Sequence, residues 1–363
     1  MLNNDKLIKS DKRILAAKSH WSGRMVTNGV PLADFQDILN SVTEWKDWCR
    51  KWSEKGDFHR SLALNADEKN RKISASYHYK TAAICYHFGK FLFVDYPEEM
   101  TIAHRKAIEC YNAALPFMSP PGERIQIPYK GKTLFGNLRI PNASVVPPVV
   151  IMVMGLDSTK EEMFTYEKDF LERGIATFSF DGPGQGEGEY DFHMCPEYEE
   201  PVAAVISKLK KIGSINSEQI GLWGVSMGGY YAPRAAAFCH EIKACIALSG
   251  PFDLSLCFHN LPELTALAVK HRSGSNSEAE VQMFTHRMSL MDVAGKIKCP
   301  LYIVSGSLDK VIPPQHGKML EEAATNSLGV YHQIIENGGH VANNRAYAYR
   351  HNCADWLREQ LLA

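Results

Sequence analysis

Along the first third of the chain, apolar residues recur at the spacing of a helix face. Phe35, Ile38, Leu39, Val42, Trp45, Cys49 and Trp52 fall at three- and four-residue steps, which predicts one amphipathic helix from Asp34 onward. A second apolar-rich helix is expected over residues 73–94, anchored by Tyr77, Ile84, Phe88 and Phe91. Pro97, suited to a first helical turn, opens a third through Met100, Ala103, Ala107, Ile108, Tyr111 and Leu115. The run Ser119-Pro120-Pro121-Gly122 then stops helix and turns the chain. This divides the sequence into a helical region, residues 1–120, and a second region, residues 121–363. No fixed-period repeat is visible, which weighs against a helical-repeat interaction module.

Beyond the break the pattern changes to strands. Residues 124–129 and 133–140 alternate apolar and polar positions about the turn Lys130-Gly131-Lys132, the pattern of a hairpin. Short apolar runs follow at residues 148–154, 176–180, 220–224, 244–248 and 301–305, each parted from the next by a helix-length segment. Runs so uniformly apolar suit strands buried on both faces, so an α/β architecture with a mostly parallel sheet and crossover helices is expected. Residues 252–291 separate two of these strands and read as an inserted lid, joined by the N-terminal helices in closing a pocket. Many aromatics, among them Trp45, Trp48, Trp52, Tyr77, Tyr86, Phe88 and Phe91, are expected to turn some surface toward the second region.

The run at 220–224 leads straight into Gly224-Val225-Ser226-Met227-Gly228-Gly229, and a helical segment begins near Tyr230. Gly-x-Ser-x-Gly between a strand and a helix is the setting of a nucleophilic serine on a sharp turn. Side chains two positions to either side would collide with neighbouring backbone, hence the glycines. A serine hydroxyl needs a base, and the base an orienting acid. Asp309 follows the strand run at 301–305, and His340 lies on Glu336-Asn337-Gly338-Gly339-His340 after a last β-like run at 330–335. Both positions lie just past a strand end, at the same sheet edge as Ser226. His316, His332 and His351 read instead as surface or core residues. An oxyanion needs two backbone N–H donors. Met227, after the serine, is one, and Leu156, in the loop after the strand at 148–154, is the other. Asp157 and Ser158 are expected to cap a helix beginning near Lys160. The segment Asp181-Gly182-Pro183-Gly184-Gln185-Gly186 lacks the Lys-Ser/Thr ending of a phosphate loop and reads as a glycine-rich turn beside the site.

Charge narrows the partners. Lys plus Arg total 40 against 41 for Asp plus Glu, a formal net charge of −1, and no dense basic run occurs, so nucleic acid is a poor partner. The start lacks the pattern of a secretory signal and no apolar stretch reaches the ~18 residues that span a bilayer, so the expectation is a cytoplasmic protein with no membrane partner. Nine cysteines, none in a Cys-x-x-Cys pair, read as reduced thiols in a core. The chemistry calls for neither cofactor nor metal.

On Gly155-Leu156-Asp157-Ser158-Thr159-Lys160-Glu161-Glu162, the Asp181–Gly186 glycine-rich segment, Gly224-Val225-Ser226-Met227-Gly228-Gly229 and the helical extension, the chain resembles the 2,6-dihydroxypseudooxynicotine hydrolase group of α/β hydrolases. That group is similar in turn to fungal hydrolases that shorten polyketide chains. The resemblance implies an α/β-hydrolase fold with a helical N-terminal cap, frequent homodimerisation and, in some members, hydrolysis of a C–C bond beside a ketone. It also implies an extra acid near the site, for which Asp253 and Glu263 are both candidates. The expected activity is hydrolysis of a small or medium substrate with a polarised carbonyl, C–C cleavage of a ketone or β-diketone-like compound first. Carboxylic ester or thioester hydrolysis is the alternative, and a catalytically silent binding protein on the same scaffold is the alternative of another class.

Overall fold

The computed structural model describes residues 11–362. The described residues begin with five α-helices: α1 (Lys12–Thr27), α2 (Leu32–Ser41), α3 (Trp48–Glu68), α4 (Lys72–Lys90) and α5 (Pro97–Ala114). The single helix expected from Asp34 to Trp52 is two. Val42 and Glu44 are extended, and the β-branched pair Val42-Thr43 is where the helix stops. Trp45, Trp48 and Trp52 nevertheless all point inward, fully buried. They pack in series with Phe88 and Phe93, ring centroids 5.2–5.7 Å apart, Trp45 stacked on Trp48 and the other rings tilted. Most of the aromatics expected to face the second region therefore pack on one another, and Tyr77 is exposed.

Eight strands form one sheet: β1 (Gly122–Tyr129), β2 (Lys132–Arg139), β3 (Pro148–Val153), β4 (Ala176–Asp181), β5 (Asn216–Val225), β6 (Ile242–Leu248), β7 (Leu301–Gly306) and β8 (Val330–Ile335), in the order β1-β2-β4-β3-β5-β6-β7-β8. The hairpin β1–β2 joins antiparallel to β4, and every pairing from β4 to β8 is parallel. Helices α6 (Phe164–Leu171), α7 (Glu199–Leu209) and α8 (Gly228–Phe238) make the crossovers between β3 and β6. Three short helices, α9 (Ser255–Phe258), α10 (Glu263–Ser273) and α11 (Glu278–Arg287), are inserted before β7. Helix α12 (Gln315–Ala323) leads to β8, and α13 (Arg350–Leu362) closes the chain.

Strand alternation sorts the core. Val149, Ile151 and Val153 face the layer of α7 and α8, while Val150 and Met152 face that of α6 and α13. Because β3 to β7 all run the same way, the loops after them emerge at one edge, where a ligand site is expected in such a sheet. Among the described residues no helix is long and apolar enough to cross a membrane, and all nine cysteines are free.

Candidate active site

Strand β5 ends at Val225 and the chain turns at once into α8. Ser226 sits in that turn at φ +55, a left-handed conformation that strains any residue with a Cβ. The turn is tight because a Cβ on Gly224 would overlap the Gly228 carbonyl, and one on Gly228 would overlap that of Val153. The Ser226 N–H donates to Leu248 O at 2.8 Å, tying the turn to β6. Its hydroxyl is thereby presented at the carboxyl edge of the sheet.

Asp309 and His340 reach the same point from the ends of β7 and β8. Ser226 Oγ lies 2.8 Å from His340 Nε2. His340 Nδ1 lies 2.8 Å from Asp309 Oδ2. The other Asp309 oxygen accepts from the N–H groups of Val311 and Ile312, both at 2.9 Å, so the fully buried carboxylate cannot swing away. With the acid on Nδ1, the Nε2 lone pair is turned toward the serine hydroxyl. The histidine loop is strained too: Val341 and Ala342 have φ +58 and +47.

His332 belongs to a second Ser–His–acid chain, 3.0 Å from Ser305 Oγ and 2.9 Å from Glu321 Oε2. Ser305 lies inside β7, and an added Cβ on Gly317 would overlap its hydroxyl. No carbonyl can approach there, so the arrangement is a strand-to-helix tie. His316 Nδ1 accepts from the Phe252 N–H at 3.1 Å, and His351 pairs with Asp169 at the surface.

Leu156 follows β3. Among the described residues neither its N–H nor that of Met227 has a hydrogen-bond acceptor. Asp157 and Ser158 cap nothing: the 3₁₀ turn Lys160–Glu162 has Thr159 at its N-cap, with no side-chain bond. Both side chains are instead held by Arg24 of α1, at 3.0 Å each. Arg24 also grips Glu162 with two bonds of 2.6 Å. Asn28 and His87 bind the same carboxylate at 2.7 and 3.0 Å. Burial alone would raise the Glu162 carboxyl, but the charge of Arg24 overrides it and holds its pKa well below the usual range. From the other side, Gln185 Nε2 donates to Met154 O and Gly155 O at 2.6 and 2.9 Å, which gives the glycine-rich turn its place beside the site.

The cleft beside Ser226 and His340 is walled by Trp21 and Arg24 of α1 and Asn28 at its end, together with Ser158, Tyr166 and Asn343. Sequence reasoning missed α1. Asp11 as N-cap and the spacing of Ile14, Ala17, Trp21 and Met25 carry the signal for the helix. Nothing local points from Arg24 to a carboxylate 138 positions away.

Two further polar joints tie the N-terminal helices to the second region, and a buried charge cluster lies about Lys160. Lys90 meets Glu189 at 3.0 Å, and His104 Nδ1 meets Tyr190 OH at 2.7 Å. Lys160 Nζ lies within 2.6–2.7 Å of Glu161, Asp181 and Glu187. Among the described residues the one group with metal-ligand spacing is His104, Glu161 and Asp181. The Lys160 ammonium already stands against two of those three, a fixed positive charge where a cation would sit, so the group fits a metal poorly. Of the two extra acids considered, Asp253 spends Oδ1 on the N–H and hydroxyl of Ser255, at 2.9 and 2.6 Å. Glu263 is exposed at the start of α10. Neither lines the cleft beside Ser226.

A parallel sheet led by an antiparallel hairpin, with a serine elbow at its carboxyl edge, defines an α/β hydrolase. The chain belongs to the FrsA-like esterase family, whose pattern matches residues 32–326. It is 33% identical over 349 residues to 2,6-dihydropseudooxynicotine hydrolase of Paenarthrobacter nicotinovorans, spanning 95% of this chain and 92% of that one. The crystal structure of the 2,6-dihydroxy-pseudo-oxynicotine hydrolase superposes with a TM-score of 0.87 at 31% identity, over 94% of this chain and 95% of the other. The 20-hydroxy-prefusarin hydrolase of Gibberella moniliformis is 31% identical over 241 residues, 61% of this chain and 57% of its own length. The resemblance drawn from the motifs holds, and the chain is a hydrolase.

Proposed function

We propose that the chain hydrolyses a C–C bond beside a ketone in a small or medium substrate, with Ser226 as nucleophile. The observation that carries the reading is the hydrogen-bonded series Ser226, His340, Asp309, with both links at 2.8 Å, on a strained elbow. As Ser226 Oγ attacks the carbonyl carbon, its proton passes to His340 Nε2, and Asp309 stabilises the imidazolium. The N–H groups of Leu156 and Met227 receive the oxyanion. Collapse breaks the bond to the adjacent carbon, and His340 returns the proton to that carbon. Water, deprotonated by His340, then releases the acyl group from Ser226 as an acid. Asp253 and Glu263 take no step in this scheme.

C–C cleavage is supported by the 33% identity to a pseudooxynicotine hydrolase over 95% of the chain. The esterase family supports a second reading, ester hydrolysis, in which the leaving group is an alcohol. The N-terminal helices serve as a cap, since α1 walls the cleft, and the helices between β6 and β7 serve as a lid. Nine free thiols, eight of them buried, suit a reducing compartment, and we assign the enzyme to the cytoplasm.

Purified protein assayed on vinylogous diketones, aryl ketones and aryl esters tests the bond type, by whether the acid is accompanied by a C–H product (a ketone from a diketone, an arene from an aryl ketone) or by an alcohol or phenol. Ser226→Ala should lower kcat by about 10⁴–10⁶ and abolish fluorophosphonate labelling while the protein stays folded. Retention of more than about a tenth of the wild-type rate would overturn the assignment.

A further inference from the structure

Leu156 lies on a stretch without regular structure, between the end of β3 and the turn at Lys160–Glu162. A backbone donor serves an oxyanion only if its peptide plane is already aimed, since hydrogen bonds weaken steeply off line. Two side chains act on this plane. Gln185 binds the carbonyl of Gly155, the other face of the same peptide group, and that of Met154 just before it. Arg24 binds Asp157 and Ser158, immediately after it.

Arg24 is well suited to hold a loop still. Its guanidinium is paired to Glu162 by two bonds of 2.6 Å and lies 4.7 Å from the centre of the Phe91 ring. A planar five-donor fork can bind Glu162, Asp157 and Ser158 at once, whereas a lysine, a single point charge, cannot. The helix that carries it grips the histidine loop as well, because Thr27 Oγ1 donates to Asn343 O at 3.1 Å. One helix therefore spans both loops that meet at Ser226.

We propose that Arg24 is a positioning residue for the hydrolysis, aiming the Leu156 N–H by holding Asp157 and Ser158. The N-terminal helix is then part of the catalytic apparatus as well as a wall of the cleft. The inference deepens the proposed function and rests on its assignment of Ser226 and Leu156.

The test uses the full chain carrying Asp157→Ala and Ser158→Ala, which frees the loop and leaves the Arg24–Glu162 pair to maintain the fold. Since losing an oxyanion donor outright costs about 10²–10³ in kcat, an unaimed one should cost about 10–10². KM should stay within about 3-fold. Affinity for a trifluoromethyl ketone, which forms a tetrahedral adduct on the serine, should fall in step with kcat/KM, while a reaction product binds as before. Arg24→Lys should move the same quantities in the same direction. A double variant with wild-type kcat, or with a loss confined to KM, would overturn the role of Arg24. Ser226→Ala in parallel separates the two failures: persistent turnover there sinks the underlying assignment, whereas an inactive Ser226→Ala beside a fully active double variant sinks this inference alone.

Discussion

A histidine becomes a base through what stands on either side of it, and this protein holds two that could be mistaken for each other. His332 and His340 both sit between a serine and a carboxylate at bonding distance. They differ in what the serine can meet. Ser226 opens on a cleft, whereas Ser305 is covered by Gly317. Ser305→Ala should therefore leave kcat within about 3-fold and cost about 1 kcal/mol of stability, the worth of an ordinary hydrogen bond. His340→Asn should abolish both turnover and labelling of Ser226. Steady-state assays with a thermal melt distinguish the pair. The site residues named from sequence, Ser226, Asp309 and His340, were legible because each follows a strand that points to the same edge. Arg24 was not, because a pairing across 138 positions leaves no local pattern.

At the scale of elements, the elbow works by the absence of side chains. Gly228 lets α8 start against the end of β3, where a Cβ would meet the carbonyls of both Val153 and Met154. Gly228→Ala should push helix and strand apart, lowering stability by about 1–3 kcal/mol as overpacking does, and reducing kcat. Denaturant unfolding and a rate assay on the same preparation check it; full activity at unchanged stability would mean that the turn relaxes freely. Strands and crossover helices were legible for the same reason the elbow was: their apolar runs are short, continuous and punctuated. The helical region was less so. Periodicity carried through residues 42–44 because Trp45 is inward on both the unbroken and the broken path, and only backbone geometry reveals the break.

For the whole molecule, the seam between the N-terminal helices and the sheet holds buried charge, and a second buried cluster lies about Lys160. Glu162 and Glu187 are held below their ordinary pKa, the latter at about 2; burial opposes this, and the neighbouring Arg24 and Lys160 overcome it. A carboxyl whose folded pKa is depressed contributes stability above its unfolded pKa, near 4.5 here, and loses it as pH falls toward the folded value. Asp181, which burial pushes up to about 6, takes its proton more readily folded than unfolded and offsets part of that loss. The expected outcome is acid unfolding that is steepest between about pH 4.5 and 2, followed by circular dichroism with scattering. A flat stability curve across that window would show that these pairs add nothing. The seam has a further consequence, for the order in which the molecule comes into being. Helix α1 is made long before its partners: Thr27 and Asn28 wait for Asn343 and Arg350, 316 and 322 positions later. Loop closures that long come late. The cleft takes one wall from Trp21 and another from Asn343, so it closes only after the whole sheet between them has been made, and a chain clipped before His340 should keep the serine while lacking its neighbour and that wall.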